Sequence, residues 1–144
     1  MIAIGCDHGG LELKESIRKH LLEKGYKVKN LGVDSFIEVD YPDIAEAVCT
    51  SVISGECEKG ILICGTGIGI SIAANKINGI RAALCTDCYS ARMAKEHNNA
   101  NIITLGGRVI GINLAIEIID TWLNAKFLGD KHQKRLDKIH ALEK

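Results

Sequence analysis

With 144 residues, 47% of them apolar and 25% charged, the chain is long enough for one sizeable core and has an ordinary globular composition. Eighteen basic residues balance eighteen acidic ones, which argues against nucleic acid or a membrane surface as a partner and confines any phosphate site to a local arrangement. The opening Met1-Ile2-Ala3-Ile4-Gly5 carries no basic leader and no long apolar segment follows, so the expectation is a cytoplasmic protein.

In chain order, residues 2–6 form a first apolar run. Leu13, Ile17 and Leu21 then recur at i, i+4 and i+8, predicting a helix over 11–24 that Gly25 stops. Residues 27–31 alternate as a second strand. Tyr41-Pro42-Asp43 opens the next helix, its proline in the first turn and Ala45, Val48 and Val52 facing inward. Residues 60–64 are continuously apolar, as a central strand should be, and break into Gly65-Thr66-Gly67-Ile68-Gly69 before a small-residue helix over 70–76. A strand over 80–84, a helix over 87–97 and a strand over 101–105 follow, the last stopping at Gly106-Gly107-Arg108. Two helices close the chain, over 112–123 and over 130–142.

Apolar runs alternating with amphipathic stretches predict repeated βα units. The expected architecture is one α/β domain over 1–144, a three-layer, doubly wound (Rossmann-like) sandwich with a five-stranded parallel sheet and an extra C-terminal helix. The 112–123 helix carries Ile112, Ala115, Ile116, Ile119 and Leu123, but also Leu114, Ile118 and Trp122. Apolar residues on more than one face suit either a deeply packed helix or a subunit interface.

Open parallel sheets bind ligands beyond the carboxyl ends of their strands. Cys6-Asp7-His8-Gly9-Gly10, the glycine loop, His97-Asn98 and Gly107-Arg108 are expected to gather along that rim. Glycines at alternate positions 65, 67 and 69 let backbone N–H groups converge at a helix N-terminus as an anion site; a tight turn without ligand is the plainer alternative. Neither a G-x-G-x-x-G after the first strand nor a P-loop string is present, which disfavours nucleotides.

Cys64 immediately precedes the loop, where a thiolate would be stabilised, so it is a candidate nucleophile or base rather than one more buried thiol. The six cysteines are expected as free thiols, and Cys85-Thr86-Asp87-Cys88 lacks the second pair of a zinc site. His20 and His140 fall on polar helical surfaces and are expected to be solvated. His8, beside Asp7, and His97, before Asn98, are the acid–base candidates. Lys131, His132 and Arg135 share one helical turn and, with Arg108, would suit a phosphate dianion; a solvated face is the alternative.

Taken together, Gly5-Cys6-Asp7-His8-Gly9-Gly10, Asp40-Tyr41-Pro42, the stretch ICGTGIGISIAANK over 63–76, Gly79-Ile80-Arg81-Ala82, Glu96-His97-Asn98, Gly107-Arg108-Val109 and His132 with Arg135 resemble the ribose-5-phosphate isomerase B family. That family includes the allose- and galactose-6-phosphate isomerases, and the resemblance runs over essentially the whole chain. It implies a cofactor-free and metal-free aldose–ketose isomerase acting on ribose 5-phosphate, with a hexose-phosphate isomerase or a non-catalytic sugar-phosphate module as alternatives.

On these residues the resemblance makes Cys64 the carbon base, His97 the group that opens the sugar ring, and Thr66 an orienting hydroxyl. Gly65, Gly67, Ile68 and Gly69 would hold the developing oxyanion of a cis-enediolate. Asp7 and Asn98 would bind hydroxyls, Tyr41 would line the pocket, and His8, Arg108, Lys131 and Arg135 would meet the phosphate. Lys131 stands where the family usually has arginine, and is expected to weaken phosphate binding somewhat. The resemblance further implies a homodimer or homotetramer whose active site lies at the subunit interface.

Overall fold

The apolar runs become the strands of a single sheet in the computed structural model, which describes residues 1–144. The elements are β1 (Ile2–Cys6), α1 (Leu11–Glu23), β2 (Val28–Asn30), α2 (Tyr41–Ile53), β3 (Lys59–Cys64), α3 (Ile68–Ala74), β4 (Ala82–Leu84), α4 (Cys88–Glu96), β5 (Ile102–Gly106), α5 (Ile112–Asn124) and α6 (Lys131–His140). The strand order is β2-β1-β3-β5-β4 and every neighbouring pair is parallel. This is the doubly wound sandwich expected from the alternating pattern.

Period-two alternation divides the core between the two faces of the sheet. Ile2, Ile4, Cys6, Ile61, Ile63, Ile103 and Leu105 point to one face, where α1, α4 and α5 cover them with residues such as Leu13, Ile17, Ala91, Ala115 and Trp122. Ala3, Leu62, Cys64 and Ile102 point to the other, under Ala45 and Val48 of α2 and Ile70 and Ala74 of α3. Trp122 is fully buried, and its indole N–H donates to the Ala100 carbonyl at 3.2 Å, so its one polar atom is satisfied.

Most boundaries move by a residue or two, and one shift matters. The helix after the glycine loop starts at Ile68 rather than 70, because Gly67 takes a left-handed φ of 80° at its N-cap. A side chain there would also meet Leu84 Cδ1 at 2.6 Å and the Leu105 carbonyl carbon at 2.8 Å. Only glycine meets both conditions.

Both apolar stripes of α5 are largely accounted for within the fold: Ala115, Ile118, Ile119 and Trp122 are buried, while Ile112 and Leu114 at its start remain exposed. The larger surplus lies on α3, where Ile68 and Ile72, one helical turn apart, are 53% and 58% exposed. Leu84 and Tyr41, also partly exposed, flank it beside Gly67 and Gly69.

Two histidines are not the solvated groups their helical pattern suggested. His20 Nε2 bonds the Asp120 carboxylate at 2.9 Å, tying α1 to α5. His140 Nε2 lies 3.0 Å from Arg81 Nη1 and must accept from it, since a guanidinium has no acceptor. Both partners come from distant elements, so a helical wheel drawn on α1 or α6 alone could not reveal them. Lys14 is likewise fully buried, its ammonium donating to Asn30 Oδ1 at 3.0 Å, the Val33 carbonyl at 2.6 Å and Asp34 Oδ1 at 2.8 Å.

Candidate active site

β1 and β3 are adjacent in the sheet, but the chain leaves them toward opposite faces, so a crevice opens beyond their carboxyl ends. Cys64 ends β3 there, 5% exposed, and its Sγ accepts the Gly67 N–H at 3.1 Å. That donor is aimed at the sulfur by the left-handed turn at Gly67, and it strengthens as negative charge builds on sulfur. The other buried thiols are differently placed. Burial pushes Cys6 and Cys85 up to about 11 and Cys49 up to about 12, which keeps them protonated and inert.

The loops after β1, β3 and β5 touch one another around this crevice. Asp7, buried, accepts the Gly9 N–H at 2.8 Å. A Cβ on Gly9 would lie 3.0 Å from the Gly65 nitrogen, and one on Gly107 would lie 2.5 Å from the Gly9 carbonyl oxygen. Gly107 N donates to the Cys64 carbonyl at 2.8 Å and Arg108 N to the Gly65 carbonyl at 3.0 Å. A cavity of about 350 Å³ opens beside this junction, lined by His8, Gly9, Phe36, Gly107 and Arg108 among others. His8 Nδ1 is buried with no partner, a donor or acceptor held ready for one. Tyr41 closes the side of the loop, its ring 2.6 Å from where a Gly69 Cβ would stand.

The glycine loop differs in detail from a set of free amides. Gly67 N–H is committed to Cys64 and Ile68 N–H to Thr66 Oγ1 at 3.1 Å. Thr66, one residue before the Gly67 N-cap, therefore anchors the first N–H of α3 and makes no bond to the Cys64 sulfur.

His97 and Asn98 are not on this rim. α4 returns antiparallel to the strands and ends near the start of β5, where the Asn101 carbonyl accepts the Gly60 N–H at the beginning of β3. β3 runs from that edge to Cys64, a rise of roughly 17 Å at about 3.3 Å per residue. The expectation of a common rim treated the end of a helix as though it were the end of a strand.

α6 lies against the same amino-terminal edge. His132 is buried and stacks on His97, ring centroids 4.2 Å apart and planes within 13°. Burial pushes His132 below its ordinary value, and the positive neighbours His97, Lys131 and Arg135 push the same way against Asp130. Lys131 and Arg135 are exposed on either side of it. The sequence offered His132 as part of a basic turn and of the family resemblance, not as a buried ring. The signal that marks it is its spacing from Leu136, four residues on and also buried, which puts it on the inward face of α6. No three His, Cys, Asp or Glu side chains gather as a metal site, and no helix is long and apolar enough to cross a membrane.

Fold and rim define a doubly wound α/β protein with a thiol and a glycine loop at its switch point. The model of the Ribose/Galactose Isomerase family matches residues 2–139. Ribose-5-phosphate isomerase B of Escherichia coli is 49% identical over 142 residues, covering 99% of this chain and 95% of that protein. D-erythrulose-4-phosphate isomerase of Pectobacterium atrosepticum is 48% identical over 143 residues, covering 99% and 94%. Ribose-5-phosphate isomerase B of Clostridium thermocellum superposes with a TM-score of 0.97 at 55% identity, over 98% of this chain and 95% of that one. The chain belongs to the Ribose/Galactose Isomerase family, and it is an isomerase.

Proposed function

We propose that the protein interconverts D-ribose 5-phosphate and D-ribulose 5-phosphate, a step of the non-oxidative pentose phosphate pathway, without metal or cofactor. The active site is shared by two copies of the chain. The observation that carries this reading is the separation of Cys64 and His97 onto opposite edges of one sheet, roughly 17 Å apart by the rise of β3. A base and a ring-opening acid that must reach one five-carbon substrate then come from different subunits. In a two-fold dimer each rim of Cys64 would face the partner's His97 edge, so two complete sites form together. The exposed Ile68 and Ile72 beside the rim suit burial in such an interface.

His97 moves a proton between the anomeric hydroxyl and the ring oxygen, which frees the aldehyde. The Cys64 thiolate takes the proton from C2, leaving a cis-enediolate whose charge lies on O1 and O2. The loop amides of Gly65 and Gly69, not committed as those of Gly67 and Ile68 are, stabilise that charge. The thiol then returns the proton to C1 while the O2 hydroxyl proton passes to O1, giving the ketose. Asp7 and Asn98 hold sugar hydroxyls, Tyr41 lines the pocket and Thr66 keeps the loop in shape. His8, Arg108, Lys131 and Arg135 meet the phosphate, with His8 Nδ1 the buried group that still lacks a partner.

The test mixes two dead variants. Cys64→Ala and His97→Ala should each lose roughly 10²–10⁴-fold in ribose 5-phosphate turnover. Random reassembly of the two into dimers should restore about one quarter of wild-type activity, because half the dimers are mixed and each carries one intact site. A mixture as inactive as its parts would return the site to a single chain. Turnover of allose or galactose 6-phosphate in place of ribose 5-phosphate would make this a hexose-phosphate isomerase, and silence on all three would leave a sugar-phosphate-binding module.

A further inference from the structure

Arg81 lies outside the rim and outside the group stacked on His97, yet most of its hydrogen bonds go to the turn that follows His97. Its Nε donates to the carbonyls of Asn98 at 3.1 Å and Asn99 at 3.3 Å, and its Nη2 to Asn99 again at 3.0 Å. Its own N–H donates to Asn101 Oδ1 at 2.8 Å, and its carbonyl accepts the Asn101 N–H at 3.1 Å. One residue therefore holds the chain from Asn98 to Asn101 by side chain and backbone together.

That turn is conformationally demanding. Asn99 has a φ of 43°, in the left-handed region where non-glycine residues persist only if their surroundings enforce it. Lys95 Nζ adds a bond to Asn99 Oδ1 at 2.7 Å. The third guanidinium nitrogen reaches another element: Nη1 donates to His140 Nε2 at 3.0 Å, near the end of α6. The same helix carries His132, which covers one face of the His97 ring. Arg81 thus touches the backbone beneath His97 and braces the helix that presses on its ring.

We propose that Arg81 is a positioning residue for His97, fixing the His97–Asn98 turn directly and the His132 stack through His140. The proposal rests on the reading of His97 as the ring-opening group. Lysine in its place would supply a point charge without the planar fork that serves two carbonyls and an imidazole at once.

The two halves of the reaction separate the role from mere structural support. Ribose 5-phosphate is a closed ring and needs His97. Ribulose 5-phosphate cannot close a furanose ring, because its C5 hydroxyl is esterified. Exchange of its C1 hydrogen with solvent, once the substrate is bound, therefore uses Cys64 and the glycine loop and involves no ring opening.

In the full-length protein, Arg81→Ala should lower kcat for ribose 5-phosphate by about 10²-fold. Deuterium incorporation into C1 of saturating ribulose 5-phosphate in heavy water should stay within about threefold of wild type. Arg81→Lys should show the same split to a smaller degree, and it carries the test if the alanine variant does not fold. Equal loss of both rates, or loss of neither, would overturn the proposal. His97→Ala, measured alongside, should split the two rates as Arg81→Ala does. If His97→Ala shows the split and neither Arg81 variant does, positioning fails alone; if His97→Ala keeps ribose 5-phosphate turnover, the ring-opening reading is what fails.

Discussion

The imidazole rings of His97 and His132 lie face to face, with centroids 4.2 Å apart and planes within 13°. Two imidazolium rings cannot share that spacing cheaply, and the His97 neighbour is one cause that lowers His132. His132, on the inward face of α6 and flanked by Lys131 and Arg135, is the buried partner, and burial with those positive neighbours pushes it below the ordinary histidine value.

Acid should therefore weaken the fold through His132. Its folded value lies below the ordinary histidine value of about 6.5, so the unfolded chain binds more protons over that interval. The contribution is fully present above about 6.5 and is lost as pH falls from there through the folded value. Thermal melts should show a steeper loss between pH 7.5 and 5.5 in wild type than in His132→Gln. Parallel slopes would mean that His132 titrates as freely folded as unfolded.

Lys131→Arg should strengthen phosphate binding. Lysine supplies a point charge, whereas arginine adds a planar pair of donors that matches two phosphate oxygens. The expected outcome is a KM for sugar phosphate lower by about two- to fivefold at unchanged kcat, since a charge-assisted hydrogen bond is worth about 0.5–1 kcal/mol at an exposed site. A sharp rise in KM would show that lysine is the residue this pocket requires.

Gly67 and Gly69 should respond differently to alanine. At Gly67 the new carbon meets the Leu105 backbone and sits at a φ of 80°, and the amide that serves Cys64 is displaced with it. Gly67→Ala should cost at least about 1–3 kcal/mol in denaturant unfolding and most of the activity. At Gly69 the atoms nearest the new carbon all belong to Tyr41, a partly exposed side chain that can turn aside. Gly69→Ala should unfold near the wild-type midpoint while KM rises.

Lys14→Met should destabilise although it leaves a side chain of similar length. The buried ammonium serves Asn30, the Val33 carbonyl and Asp34, and replacing it by a thioether removes a charged donor from all three for a cost of about 1–3 kcal/mol. Asp34→Ala should cost far less, because that carboxylate is largely in water and Lys14 keeps its other two acceptors. Equal losses from both variants in denaturant titrations would locate the energy in the ion pair instead.

The strands, the order of βα units and the glycine loop after the central strand were legible because each is written in neighbouring residues. Continuous apolar runs of five or six residues have few other ways to be buried than in a parallel sheet, and alternate glycines mark where the backbone must turn tightly. Cys64 could be singled out on the same grounds, by its place between such a run and such a loop. Tertiary structure decided the rest. It put His97 on the opposite edge from Cys64, because a crossover helix carries its last residue back to the start of the next strand. It brought His132 onto His97 and Arg81 beneath Asn98, pairs separated by 35 and 17 positions. It also left the larger apolar surplus on α3 rather than α5, since Trp122, Ile118 and Ile119 all found cover under the sheet. Local patterns report which face of an element seeks burial; which elements meet depends on strand order and helix direction, and these follow from the packing of the whole chain.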